Sequence, residues 1–193
     1  MSTLRRYHHG DLRAALVAAA TAMLEEEGHE ALSLREAARR ACVSHNAPYR
    51  HFADREALLA AVAAEGFRAL AVAMAAASGA GRVALRGVGE AYVAFAVARP
   101  RLFALMFGAG LDIAAHAELQ EAMDSVFAHL AAGFGARGGD DPRPAMIAAW
   151  SVVHGLAHLL IDARLGPRLT SGRDIPALTR AVLDAFAAGI AKP

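Results

Sequence analysis

Eighteen consecutive residues at positions 144–161, PAMIAAWSVVHGLAHLLI, carry no formal charge, and that stretch limits the folds open to the chain more than any other feature. A helix of this length rises about 27 Å, close to the thickness of a bilayer core, so it either spans a membrane or is covered by protein on nearly all sides. Its alanine content, with Ser151, His154, Gly155 and His158 inside it, argues against lipid, and no second segment reads as equally apolar. The expectation is a helix buried on nearly all sides, with a partner surface supplying part of the cover and no membrane involved.

The remaining sequence points to the same fold class. The 193 residues are 56% hydrophobic and 20% charged, enough to bury a sizeable core. Ala, Leu, Arg and Glu dominate without alternating Val, Ile or Thr runs, which predicts an all-α protein. Twenty Lys and Arg against 19 Asp and Glu leave a net charge of +1, so no global field advertises nucleic acid or membrane, and any such partner must be recognised locally. Cys42 is the only cysteine. An intrachain disulfide is therefore excluded, and with no signal-peptide pattern in MSTLRRYHHGDLR the expected location is cytoplasmic. Cys42 itself reads as a small core side chain.

Helix punctuation is clear toward the N-terminus. Leu12, Leu16, Ala19, Ala20 and Met23 recur at helical spacing from about Asp11 to the stop at Gly28. The run Glu25-Glu26-Glu27 reads as a solvated helix end. Ser33 followed by Glu36 is a capping box that starts a short second helix lined by Leu34, Ala37, Ala38 and Ala41. Ser44 offers another cap, residues 45–51 can hold about two helical turns, and Asp54 caps a long helix over 54–77. Breakers near 78–82, 99–101, 108–112, 135–144 and 166–176 separate five or so further helices, the last over 177–191 with Leu178, Val182, Leu183, Phe186 and Ile190 on one stripe.

Two short helices joined at Cys42-Val43-Ser44 form a helix-turn-helix. In its second helix His45, Asn46, Tyr49 and Arg50 share one face while Pro48 and Phe52 turn inward, and that outward set carries the donors, acceptors and planar groups that base edges and phosphates need. A solvated helix with polar caps has the same composition. Residues 1–68 contain nine Arg and nine Asp or Glu, so placement matters more than net charge: the acids gather at the end of helix one, while Arg5, Arg6, Arg35, Arg50 and Arg55 lie near termini and turns. Few phosphates would be neutralised per subunit, giving a moderate salt dependence.

The stretch GHEALSLREAARRACVSHNAPYRHFADREALLAAV at 28–62, above all YRHFADREAL, resembles the tetracycline-repressor (TetR) family of bacterial regulators. The resemblance implies base-reading positions at Arg35, His45, Asn46, Ala47 and Tyr49, phosphate contacts from Ser33, Tyr49, His51 and Arg55, and Ser44 and Arg50 within the same interface. Family members usually have Lys where Arg55 stands and an apolar residue where Pro48 stands. The leader Arg5-Arg6-Tyr7-His8-His9 reads either as an arm over the duplex or as a plain terminus. AWSVVHGLAHLLID resembles a Trp-His-Gly subgroup of regulatory domains through Trp150, His154 and Gly155. Membership implies a 1–54 DNA-binding domain and a 55–193 effector and dimerisation domain, whose last two long helices, 143–164 and 174–191, pair with their copies in a homodimer. It further implies a repressor released from a palindromic double-stranded operator by a small molecule.

Other chemistry is weaker. His154 and His158 stand four apart like a metal pair, but no third ligand follows, and a hydrogen-bonded core or pocket histidine fits better. Ser151 lacks an elbow and an acid, and GFGARGG at 133–139 lacks the Lys-Ser/Thr of a phosphate cradle, so neither an enzyme nor a resident cofactor is expected. Phe95, Phe103, Met106, Phe107, Met123, Phe127, Phe134 and Trp150 supply walls for an effector pocket, with His154 or His158 as polar anchors; the same residues could simply fill the core. The rival to a DNA-binding regulator is a helical small-molecule-binding protein whose N-terminal unit docks another protein.

Overall fold

The computed structural model describes residues 12–77, 81–108, 110–134, 141–170 and 172–190, with side chains left out at 81–84, 132–134 and 190. The leader at 5–9 and the Phe134 side chain lie outside the described residues. Among those described, the chain is helical with no strand: α1 (Leu12–Glu27), α2 (Leu34–Arg40), α3 (Arg55–Ala76), α4 (Gly81–Ala98), α5 (Pro100–Phe107), α6 (Ala117–Phe134), α7 (Arg143–Ile161), α8 (Pro167–Thr170) and α9 (Ile175–Ile190), with short 3-10 turns at His29–Ala31, Pro48–Arg50 and Ile113–Ala115. The all-α expectation holds.

Two compact units form, one drawn from Met1–Gly66 and Arg101–Gln120, the other from Phe67–Pro100 and Glu121–Pro193. In the first, Leu16, Ala20 and Met23 of α1 are fully buried with Ala37 and Ala38 of α2 and Leu58 and Val62 of α3. Gly66 lets α5 approach α3: a Cβ there would lie 2.7 Å from Met106 Sδ and 3.1 Å from Leu102 Cδ1. In the second, α4 packs against α7 and α9, and a Cβ at Gly89 would meet Leu183 at 2.9 Å and Val153 at 3.2 Å. Arg86 and Arg180 both reach Glu90, and Arg86 also reaches Asp184, so ion pairs fasten α9 to α4 at the rim.

Three sequence expectations need correcting. Cys42 is exposed, with φ +55°, because α2 ends in a Schellman arrangement: Val43 N–H donates to Ala38 O at 3.0 Å and Cys42 N–H to Arg39 O at 3.2 Å, which turns residue 42 left-handed and outward. The acidic end of α1 is more than solvated, since Arg40 pairs with both Glu26 and Glu27. A second helix, α3, passes the same length and hydropathy test as α7, and 67% of its most apolar window is buried. Within the chain itself, 22% of the most apolar window of α7 is buried, and Ile147 and Leu159 are 61% and 43% exposed.

Candidate nucleic-acid interface

α2 begins as its capping box requires, with Glu36 N–H donating to Ser33 Oγ at 3.1 Å. That bond commits Ser33 to the helix end and leaves Arg35, one residue into the first turn, exposed. Glu36 in turn holds Arg39 and Arg40, whose guanidiniums keep its carboxyl below the usual carboxylate range. Arg40 is thus held among Glu26, Glu27 and Glu36, while Arg39 pairs with Glu36 and stays largely exposed.

After the turn at Cys42 the chain does not form two regular α-helical turns over 45–51, as the spacing predicts. It makes two consecutive tight turns instead. Ala47 N–H donates to Ser44 O at 2.9 Å, and the 3-10 turn Pro48–Arg50 follows, closed by His51 N–H to Pro48 O at 2.9 Å. Pro48 is the cause: it has no N–H to complete the bond back to Ser44 that a regular helix needs. Ser44 therefore contributes its carbonyl, and no side-chain cap forms at this turn. The division of faces nevertheless matches the prediction. Pro48 and Phe52 are buried, while Ser44, His45, Asn46, Tyr49, Arg50 and His51 are exposed and Ala47 is half-buried. Tyr49 stands 50% open.

Phe52 locks the segment down. It is 2% exposed, and the Arg13 guanidinium lies 5.4 Å above its ring while pairing with Glu118. His51 lines a recess of about 250 Å³ beside this pair, with Arg13, His116 and Glu118 in its wall. Asp54 then caps α3, accepting from Ala57 N–H at 2.8 Å. Arg55 turns back, donating from Nε to Leu32 O at 2.8 Å and from Nη2 to His29 O.

The residues expected in an effector pocket divide between the units. Phe103 and Met106 are core of the first, 0% and 4% exposed, with the Phe107 ring tilted against Phe103 at 4.8 Å. In the second, Phe127 meets Trp150 edge-on at 5.3 Å, Trp150 lies 5.4 Å from the His154 ring, and His154 lies 4.7 Å from His158. Phe95 is 9% exposed with Arg99 over its ring, and Met123 is half-buried. The sequence reading missed Tyr92, the centre of this cluster: its hydroxyl is 2.8 Å from His154 Nδ1 and accepts from Trp150 Nε1–H at 3.4 Å. The only signal was one phenol among the apolar residues of the C-terminal half of α4. Burial pushes the Tyr92 hydroxyl far above the ordinary phenol range, with the Trp150 N–H opposing it. Burial first, then the His158 charge, holds His154 below the ordinary imidazole value. Among the described residues, no group of three metal-ligating side chains gathers.

Comparison with known proteins supplies the context. Residues 16–62 match the family model for bacterial regulatory proteins of the tetR family, and residues 85–186 match a tetracyclin repressor-like C-terminal domain. A solved protein of unknown function from Rhodococcus sp. RHA1 is 34% identical over 97% of this chain and 100% of its own, with a TM-score of 0.82. The transcriptional regulator FadR from Bacillus subtilis, in complex with stearoyl-CoA, shares 16% identity over 91% and 98% of the two chains at a TM-score of 0.70. A TetR family protein from Vibrio parahaemolyticus shares 22% over 91% and 98% at 0.67. A comparison with curated proteins found no match. With models matching both its N-terminal and its C-terminal portions, the chain belongs to the TetR family of bacterial transcriptional regulators.

Proposed function

We propose that the protein is a homodimeric repressor that holds a palindromic operator through the exposed 33–51 face and releases it when a small molecule binds the second unit. The observation that carries this reading is the sidedness of residues 44–52: Pro48 and Phe52 are buried while His45, Asn46, Tyr49 and Arg50 all face outward. Arg35, His45, Asn46, Ala47 and Tyr49 read bases; Ser44, Tyr49, Arg50 and His51 meet phosphates. Within this assignment residues 1–54 are the reading head and 55–193 the effector and dimerisation part, acting in the cytoplasm without a catalytic step.

The exposed stripe of α7 and the end of α9, with Ile147, Leu159 and Ile175 open, supports pairing with a second copy. The Tyr92, Trp150, His154 and His158 cluster beside Phe127 supports an effector with an apolar body and a polar group. FadR from Bacillus subtilis holds stearoyl-CoA, an amphiphile of that general kind. α3 has residues in both units, so a ligand with different affinity for two α3 positions changes the spacing of the heads.

Selection from a random duplex pool tests the reading. It should enrich a palindrome with half-sites about 34 Å apart, and Tyr49→Ala and Arg35→Ala should each lose about 1–3 kcal/mol on the enriched duplex with the dimer intact. Unchanged affinity in both variants rejects the contact assignment. A protein-docking N-terminal unit would enrich no sequence at all.

A further inference from the structure

Residues 33–54, which carry α2, the Schellman turn and the exposed 44–51 face, leave the rest of the chain and return to it at one place. Leu32, just before the Ser33 cap, is 1% exposed, and its carbonyl accepts from Arg55 Nε at 2.8 Å. The second arm of the same guanidinium reaches His29 O. That carbonyl also accepts from Leu32 N–H at 3.3 Å, so His29 O is shared between the turn's own bond and the guanidinium. Arg55 is the first residue of α3.

We propose that Arg55 is a positioning residue for DNA reading: its guanidinium closes the base of the 33–54 loop by fastening the entry to α2 onto the first residue of α3. This rests on the reading of 33–54 as the DNA-facing segment. The planar fork suits two carbonyls presented side by side, whereas an ammonium is a point charge that cannot reproduce that geometry. The role differs from a phosphate contact, which needs only charge. With the clamp closed, Ser33 and Arg35 keep a fixed distance from the start of α3, and any displacement of α3 carries both ends of the loop together. Without it, the entry to α2 is held near the start of α3 indirectly, through the core that Ala37 and Ala38 share with α1 and with Leu58 and Val62, the Arg40 pairs with Glu26 and Glu27, and the packing of Phe52.

The test uses the full-length protein, the selected duplex and two variants. Arg55→Ala should weaken binding about tenfold while the slope of log Kd against log salt stays at the wild-type value. Arg55→Lys, which restores charge but not the fork, should recover only part of the affinity. A phosphate contact predicts the reverse: a slope reduced by about 0.9 per subunit, about 1.8 for a dimer on the duplex, in Arg55→Ala, with slope and affinity restored by Arg55→Lys. Either that pattern or unchanged affinity in Arg55→Ala overturns the proposal. Amide exchange in the DNA-free protein gives an independent reading: residues 30–38 should exchange faster in both variants, and unaltered exchange also overturns it. Should no duplex be selected by the wild type, the DNA-binding reading fails while the exchange result still decides whether the clamp exists.

Discussion

Tyr92 shows how one hydroxyl can organise several polar groups in an apolar body. It is 0% exposed, serves Trp150 and His154 at once, and sits where an unmet polar atom is costly. Tyr92→Phe keeps the ring but removes the oxygen both neighbours use, so chemical denaturation should show a loss of about 1–3 kcal/mol. The same cluster sets a pH dependence. Because His154 is held below the ordinary imidazole value, the unfolded chain takes up a proton first as pH falls below about 6.5. Stability from this site is therefore fully present above that pH and is lost as pH drops through the lowered folded value. His154→Gln should flatten the change in denaturation midpoint between pH 7.5 and pH 5.5, and an equally steep change in the variant would exclude His154 as its source. None of this was legible from spacing: the Trp150, His154 and His158 row could be read off one helix, but Tyr92 reaches it from 58 and 62 positions away.

At the scale of elements, much of the first 60 residues was readable because their helix ends are written in local chemistry. Ser33 and Asp54 cap the helices their spacing predicts, and Gly28 ends α1 at φ +89°. What escaped was cooperation between ends. The Glu25-Glu26-Glu27 run looked solvated because its counter-ion, Arg40, sits 13 or 14 positions downstream on another helix, and Glu25 takes up α5 through Arg101 Nη1–H to its backbone carbonyl at 2.6 Å. Pro48 lies inside the segment whose spacing predicts two helical turns, and the loss of its N–H leaves tight turns there instead. Cys42 was assigned by residue type to the core, whereas its position in the Schellman turn determines its exposure. A left-handed backbone at a residue with a Cβ is strained by about 1 kcal/mol. Cys42→Gly should raise the unfolding free energy by up to that amount, with no change in the helical signal; a lower midpoint would mean the thiol makes a contribution of its own.

For the whole molecule, the mismatch between composition and burial is concentrated in α7. The stretch that constrains the fold most in the sequence is charge-free, yet the chain covers only 22% of its most apolar window, while the comparably apolar α3 is 67% covered. Both pass the same test of length and hydropathy, so sequence alone could not separate a helix finished by its own fold from one that still needs a cover. The exposed side of α7 alternates bulk with small groups, Ile147 and Leu159 flanking Ser151 and Gly155, a surface that permits close approach of a second helix. An isolated chain would tolerate a charge at Ile147, which is 61% exposed. A paired chain would not, because each copy would bury a carboxylate against the other at a cost of several kcal/mol. Ile147→Glu should therefore leave far-UV circular dichroism unchanged, shift sedimentation from dimer to monomer at micromolar concentration, and weaken binding to a two-half-site duplex far more than to a single half-site. A variant that stays dimeric places the twofold contact elsewhere, and one that becomes monomeric without losing the preference for two half-sites separates pairing through α7 from DNA reading.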